Sequence, residues 1–180
     1  MPNRAPGTLG LVQDFVNTRE LDPDREAIPT AEALAAWLGE RRLLDGEPVG
    51  QADHARALAL REALRRLLLA NNGGPLDPGD VALLDRAAAD SRLRPRFLPG
   101  GGVTLEPAAP GAAGALGRVL AAVAEAMTAG TWSRLKVCAE GTCLWAFYDR
   151  SRNRSGHWCS MEVCGNRAKA RQFRRRRTAS

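Results

Sequence analysis

All four cysteines of this 180-residue chain lie between positions 138 and 164, as Cys138-x4-Cys143-x15-Cys159-x4-Cys164. Two close pairs separated by about 15 residues converge as two knuckles on one tetrahedral zinc ion, with Zn–S distances of about 2.3 Å. A four-residue insert is the upper end of the usual spacing. Gly141 inside the first pair and Gly165 just after the second are expected to allow the tight turns that aim amides at thiolates. Paired disulfides need an oxidising compartment, and a redox thiol pair takes the form Cys-x-x-Cys beside a βαβ unit. Neither context is evident. Four thiolates leave no open position for water, so the expected zinc is structural, not catalytic. His157 reads as a hairpin side chain and not as a ligand. Residues 131–165 hold few aliphatic side chains, so metal binding, an apparent ~10–16 kcal/mol, is expected to replace burial there. Trp145, Phe147 and Trp158 are expected to pack around the knuckles, with stacking on bases as the alternative.

A mass of 19.3 kDa and 44% hydrophobic residues suit one globular domain, or one domain with a small appended module. No apolar run approaches the roughly 20 residues of a bilayer span. Met1–Gly10 has one arginine and no apolar stretch, unlike an export signal, so a cytoplasmic protein is expected. The net charge of +6 conceals a division. Residues 1–130 carry 14 arginines against 17 acids, whereas residues 131–180 carry 12 Lys and Arg against Glu140, Asp149 and Glu162, a net of +9. A cationic block this concentrated seeks polyanions, because displacing counterions from phosphate drives association. Arginine forks also hold phosphate bidentately.

The remainder reads as helices. Leu11, Val12, Phe15 and Val16 give a short amphipathic helix over Leu9–Thr18. Thr30 is positioned to cap a second, with Leu34, Trp37, Leu38 and Leu44 as its buried stripe. In Ala52–Ala70, Leu60, Leu64, Leu67 and Leu68 form one face, with Arg61, Glu62, Arg65 and Arg66 opposite. Asn71-Asn72-Gly73-Gly74-Pro75 ends it. Asp77-Pro78-Gly79-Asp80 reads as an N-cap, a first-turn proline and an acid suited to the helix dipole, opening a helix to about Ala89. Arg94–Leu98 and Val103–Glu106 flank a glycine-rich turn as a small hairpin. Ala112–Thr128 is a further helix, with Leu116, Val119, Leu120, Val123 and Met127 on its core side. The expected fold is mainly α with a small β-hairpin over residues 1–130, then a four-cysteine finger of knuckles plus hairpin and a basic helix over residues 131–180.

Asn166–Arg177 contains good helix formers and six arginines plus Lys169 on a common rod. Ala170 and Phe173 fall to one side, where they are expected to dock, leaving Arg167, Arg171, Arg174 and Arg175 as a cationic stripe. Arg152 and Arg154, in the loop Arg150–Gly156, are expected near the same face. The motif Cys164-Gly165-Asn166-Arg167, preceded by His157–Val163 and followed by the basic helix, resembles the CGNR-type zinc fingers. Asp14–Thr18 and Leu60–Arg65 look like the N-terminal ABATE domain that accompanies this finger in stress-linked bacterial transcription regulators. The resemblance spans nearly the whole chain. It implies that Cys138, Cys143, Cys159 and Cys164 hold zinc, that Arg167, Lys169, Arg171, Arg174 and Arg175 meet DNA, and that the N-terminal domain senses a ligand. Asn166 is expected to cap the helix or bond within the knuckle.

The leading expectation is therefore a DNA-binding regulator with structural zinc and an unidentified small-molecule effector. Asn17, Trp37, Arg61 and His54 are candidates to line an effector pocket, each with a duller role in a cap, the core or a helix face. An RNA-binding zinc knuckle is the nearest alternative, because a basic finger with exposed aromatics also holds single strands. A small-molecule enzyme is a more distant one, since no catalytic triad order, phosphate-binding glycine loop or histidine pair is present. No membrane partner is expected. A homodimer would suit a regulator that reads two half-sites.

Overall fold

The computed structural model describes residues 4–178, with side chains described through Arg174. It is mainly helical. In chain order the elements are α1 (Leu9–Val16), β1 (Arg19–Leu21), β2 (Asp24–Glu26), α2 (Ala31–Glu40), α3 (Gln51–Ala70), α4 (Pro78–Asp90), β3 (Leu93–Phe97), β4 (Val103–Pro107), α5 (Gly111–Thr128), β5 (Leu135–Val137), β6 (Ala146–Tyr148) and α6 (Asn166–Thr178). The strands pair only as antiparallel hairpins, β1 with β2, β3 with β4 and β5 with β6.

The helix boundaries follow from local chemistry. The Thr30 hydroxyl accepts the Ala33 amide at 3.2 Å and starts α2, while the Asp77 carboxylate accepts the Gly79 amide at 2.8 Å and starts α4. Asp80 does more than favour a dipole: it is buried, and the Arg66 guanidinium grips both its oxygens at 2.6–3.0 Å, tying α4 to α3. Gly73 has φ +88°, which lets the chain reverse after α3. Gly117 lets α5 approach the base of the β3–β4 hairpin, since a Cβ there would lie 2.6 Å from Ser91 Cβ and 2.8 Å from Pro107 Cβ.

The core is built from Phe15, Leu34, Leu38, Leu60, Leu64 and Val119 with their neighbours, and it does not stop at residue 130. Leu135, Val137, Ala146 and Tyr148 belong to the same cluster. The finger's hairpin thus obtains burial from the helical body, and metal binding supplements that burial instead of replacing it. Two expectations are corrected. Arg61 and Arg65 do not face solvent: each is 4% exposed, because the β1–β2 segment and the finger cover that side of α3. Met127 stands 46% exposed at the last turn of α5, on a groove it shares with Leu76, Val81 and Leu84. The β1–β2 hairpin itself carries no apolar alternation that would have marked it.

The ribbon β5–β6 has three residues per strand, and such a pair is marginal in isolation. Its register, Leu135 opposite Tyr148 and Val137 opposite Ala146, turns the backbone groups of Leu135, Val137 and Ala146 outward. Side-chain amides of the body meet each of them. Asn71 Nδ2 donates to the Leu135 and Trp132 carbonyls, both at 2.9 Å. Asn72 Nδ2 donates to those of Val137 and His157, both at 2.9 Å. On the other edge, Asn17 donates to the Ala146 carbonyl at 2.9 Å and accepts its amide at 2.8 Å, and Gln13 adds a 3.0 Å bond to the same carbonyl. Replacing both Asn71 and Asn72 by alanine removes four such bonds. We expect the variant to lose about 3 kcal/mol of unfolding free energy in urea titration, at roughly 0.5–1.5 kcal/mol per bond. A loss below ~0.5 kcal/mol would show that the clamp is not structural.

Candidate metal centre and nucleic-acid interface

Cys138 leaves the end of β5, and its amide donates to the Trp145 carbonyl at 2.9 Å. The chain then turns back on itself: the Cys143 and Leu144 amides both reach the Glu140 carbonyl, at 2.8 and 3.2 Å. Leu144, not Gly141, takes the left-handed conformation that this turn needs, with φ +46°. Arg65 Nη1 donates to the Leu144 carbonyl at 2.9 Å, and Arg65 Nη2 donates to those of Val16 and Arg19. One buried guanidinium thus fixes the knuckle to α1 and α3. Its charge is disfavoured by burial and supported by Glu62, with a net lowering of its pKa.

The second pair is set by a wide turn. Ser160 Oγ accepts the Val163 amide at 3.2 Å, and the Ser160 carbonyl accepts the amides of both Cys164 and Gly165, at 3.0 and 3.1 Å. This π-helical turn, Met161–Gly165, carries Cys164 round to face Cys159. Gly165 makes room for the Met161 side chain, whose Sδ would lie 2.4 Å from a Cβ there.

The four sulfurs lie within 4.8 Å of one another, with Cys143–Cys159 at 3.6 Å and Cys159–Cys164 at 3.7 Å. A disulfide holds its sulfurs at about 2.05 Å, so these are four separate thiols. A tetrahedron with Zn–S bonds of about 2.3 Å has edges of about 3.8 Å. The spacing therefore fits zinc. Amides of Glu140 and Cys159 bond to the Cys138 sulfur and that of Trp145 to the Cys143 sulfur. Crowding disfavours a full set of anions without a cation. Hydrogen bonds from Cys143 and Cys159 push Cys138 down to about 2, whereas holding those protons pushes Cys143 up to about 12 and Cys159 higher still. Cys164 is raised by burial and by the Cys138 charge. Zinc supplies the two positive charges that let all four remain thiolates.

Residues 9–130 match the ABATE family, described as a putative stress-induced transcription regulator. Residues 134–177 match the CGNR zinc finger. The chain belongs to the ABATE family. No curated protein matches it. Neither matched family is an enzyme family by its description, and among the described residues no helix is long and apolar enough to cross a membrane.

In this ABATE protein the basic helix starts directly from the knuckle. Asn166 Nδ2 donates back to the Glu162 carbonyl at 2.8 Å, as expected of a residue bonding within the turn. Ala170 and Phe173 are both exposed. Two arginines tie the helix to the body. Arg171 pairs with Glu140, which is 1% exposed and also accepts from Thr142 Oγ1 at 3.2 Å; Arg167 pairs with Asp22 in the β1–β2 turn. The Arg171 guanidinium outweighs burial and keeps Glu140 below the usual carboxylate range. A buried carboxylate between two zinc-site cysteines demands a cation.

The remaining predicted contacts divide. Lys169 and Arg174 are exposed on α6, with Arg174 Nε donating to the Ala170 carbonyl at 3.3 Å. The Arg175 side chain lies outside the described residues. Arg152 is exposed, and Arg154 donates to Ser133 Oγ at 3.1 Å. Their loop leaves the end of the ribbon where the Asp149 amide meets the Arg134 carbonyl, opposite the end that carries Cys138. From there the chain returns along the ribbon, where the Ala139 amide donates to the His157 carbonyl at 2.8 Å. The loop is ordered by Lys136, whose buried ammonium donates to Asp149 Oδ2 at 2.8 Å and to the carbonyls of Arg154 and Gly156. Burial alone would raise the Asp149 carboxyl, but Lys136 and the amides of Ser151 and Gly156 hold it well below its ordinary value.

Trp145, Phe147 and Trp158 do not form one cluster: Phe147 is buried on β6, Trp158 meets His157 edge-on at 5.8 Å, and among the described residues no ring contact joins the three. His157 Nδ1 bonds to Asn72 Oδ1 at 2.8 Å, outside the sulfur cluster. Asn17, Trp37 and Trp145 share a cavity of about 440 Å³ between α1, α2 and the finger. Arg61 and His54 are not in it. Arg61 binds Thr18, Glu26 and Glu62, and His54 bonds to the Ile28 carbonyl at 2.9 Å. Sequence reading missed Arg65, Glu140, Lys136 and the asparagine clamp, because their partners are carbonyls and carboxylates distant in the chain. Zinc K-edge absorption of the reduced, zinc-loaded protein should show one zinc per chain and four sulfur neighbours at about 2.3 Å. A nitrogen or oxygen in that shell would contradict the four-cysteine assignment.

Proposed function

We propose that this protein is a zinc-finger transcription regulator that binds DNA through the surface formed by α6 and the Arg150–Gly156 loop. Residues 1–130 act as the body that receives a signal and residues 131–180 as the part that faces nucleic acid. The observation that carries this reading is the net charge of +9 over residues 131–180, on a helix anchored by two of its arginines and exposing Lys169 and Arg174. A rigid cationic rod suits phosphate contacts, which fix register and orientation on a duplex. Arg167 and Arg171 then act mainly by setting the direction of the helix, while Lys169, Arg174 and Arg152 supply charge.

Ligand control is supported by the cavity of about 440 Å³ that Asn17, Trp37 and Trp145 line, a volume within the ~300–1,000 Å³ typical of small-molecule sites. An occupant there would touch α1, α2 and the finger together. Titrating candidate effectors against tryptophan fluorescence and DNA affinity in parallel reads this directly, and an occupant that leaves DNA affinity unchanged argues against control through this cavity.

The DNA reading is tested by salt titration. With about six phosphates engaged, log affinity for duplex DNA should fall with log salt at a slope of about −5, and Lys169→Ala should flatten it by about 1 with equal losses on unrelated sequences. Tighter binding to single-stranded RNA than to duplex DNA would favour the RNA reading.

A further inference from the structure

A cavity of about 800 Å³ opens between α1, α5, the end of α2 and the β3–β4 hairpin. Its volume lies within the ~300–1,000 Å³ typical of small-molecule sites. It adjoins the cavity that reaches the finger, since Arg4, Asp14 and Arg41 line both. Its lining holds four arginines, Arg4, Arg41, Arg96 and Arg118, against three acids, Asp14, Glu106 and Glu125.

Two of these arginines are neutralised within the lining: Arg4 pairs with Asp14 and Arg96 with Glu106, both at 2.7 Å. The other two are not. Arg41 lies 4.0 Å over the Trp37 ring, and its carboxylate neighbour Glu40, at 3.4 Å, stands outside the lining. Arg118 pairs with no carboxylate among the described residues. One of its N–H groups donates to the Arg42 carbonyl at 2.8 Å, which fixes the guanidinium at the cavity wall with donors to spare. Glu125 accepts from the Thr8 hydroxyl at 2.7 Å and sits two turns further along α5, roughly 10 Å up the helix axis from Arg118. The cavity therefore has a cationic end without an answering anion. A net of +1 in the lining suits a monoanion. A carboxylate matches the guanidinium fork with two parallel N–H···O bonds, whereas a phosphate monoester would bring a charge of about −2 and leave an excess beside Glu125.

We propose that this cavity binds a small organic monocarboxylate, its carboxylate held by Arg118 with Arg41 as the second cation. Leu11, Leu43, Ala121 and Ala122 line the same cavity and give the apolar body of such an acid its wall. The site is also tied to the nucleic-acid side of the molecule. Arg150, which opens the loop placed on DNA, donates from Nη2 to the Arg4 carbonyl at 2.9 Å. Control of DNA affinity by this ligand rests on the ligand-control reading proposed above; occupancy of the cavity does not.

Arginine side-chain NMR of the full-length, zinc-loaded protein without nucleic acid tests the proposal independently of any DNA binding. The Nε–H resonances are followed during titration with 2-naphthoate, with 2-naphthamide as the neutral isostere and inorganic phosphate as the competing anion. Saturable shifts are expected at Arg118 and Arg41, with 2-naphthoate bound about tenfold or more tighter than 2-naphthamide, as one charge-assisted pair implies, and tighter than phosphate. Arg118→Gln should weaken 2-naphthoate by a similar factor with unchanged far-UV circular dichroism, because that side chain starts exposed. Ala121→Phe, which fills the cavity without altering its charge, should weaken it as well. Arg94→Gln, on the same hairpin but outside the lining, should leave it unchanged. No saturable shift, equal affinity for acid and amide, tighter binding of phosphate, or an Arg118→Gln variant that binds like the wild type would overturn the proposal. A carboxylate that binds as expected while DNA affinity stays constant supports the site and overturns only its control of the finger.

Discussion

A β-ribbon two strands wide has two open edges, and a ribbon three residues long cannot tolerate either one being left to compete for water while its faces are buried. In this chain the edges are closed by side chains. Asn17 and Gln13 take one edge, and Asn71 and Asn72 take the other. Arg65 secures the carbonyl at the turn between the strands. Primary amides suit the task because each offers two donors and an acceptor and mimics a neighbouring strand. Everything beyond the ribbon inherits its position from these contacts: Cys138 follows β5, Cys143 precedes β6, and the second cysteine pair returns alongside through the bond from the Ala139 amide to the His157 carbonyl.

The zinc site and the basic helix form the next layer. Four sulfurs at tetrahedral spacing require a divalent cation, and with zinc bound the site still carries excess negative charge. Glu140 adds another buried anion beside it, and Arg171 answers that charge while Arg167 reaches Asp22 on the body. Two arginines are thus spent on holding α6. A buried carboxylate left without its partner is costly, so the pair fixes the direction of the helix. It also leaves Lys169 and Arg174 exposed on the same helix.

Features set by local chemistry were legible in the sequence. Thr30 and Asp77-Pro78 cap helices as their types dictate, the 3.6-residue periods locate α1, α3 and α5, and the cysteine spacing identifies the metal centre before any fold is known. Features set by what lies opposite were not. A helical wheel puts Arg61 and Arg65 on the polar side of α3 but cannot reveal that Thr18, Glu26 and the carbonyls of Val16 and Leu144 cover that side. Asn71-Asn72 reads as a helix stop, and its second role depends on the outward phase of β5, which the register alone decides. Phe173 has the right angle to dock yet stands exposed, whereas Arg171, placed on the stripe for DNA, finds Glu140. The β1–β2 hairpin was invisible because its strands are charged and three residues long.

The central claim is that finger and helical body are one cooperative unit. Native-state hydrogen exchange of the zinc-loaded protein tests it most directly by comparing the amides of Lys136 and Phe147 in the ribbon with that of Leu64 in α3. The account predicts that all three open with the same free energy, that of global unfolding. Ribbon amides that exchange through an opening several kcal/mol cheaper, with α3 still protected, would show the finger to be an independent module and contradict the account.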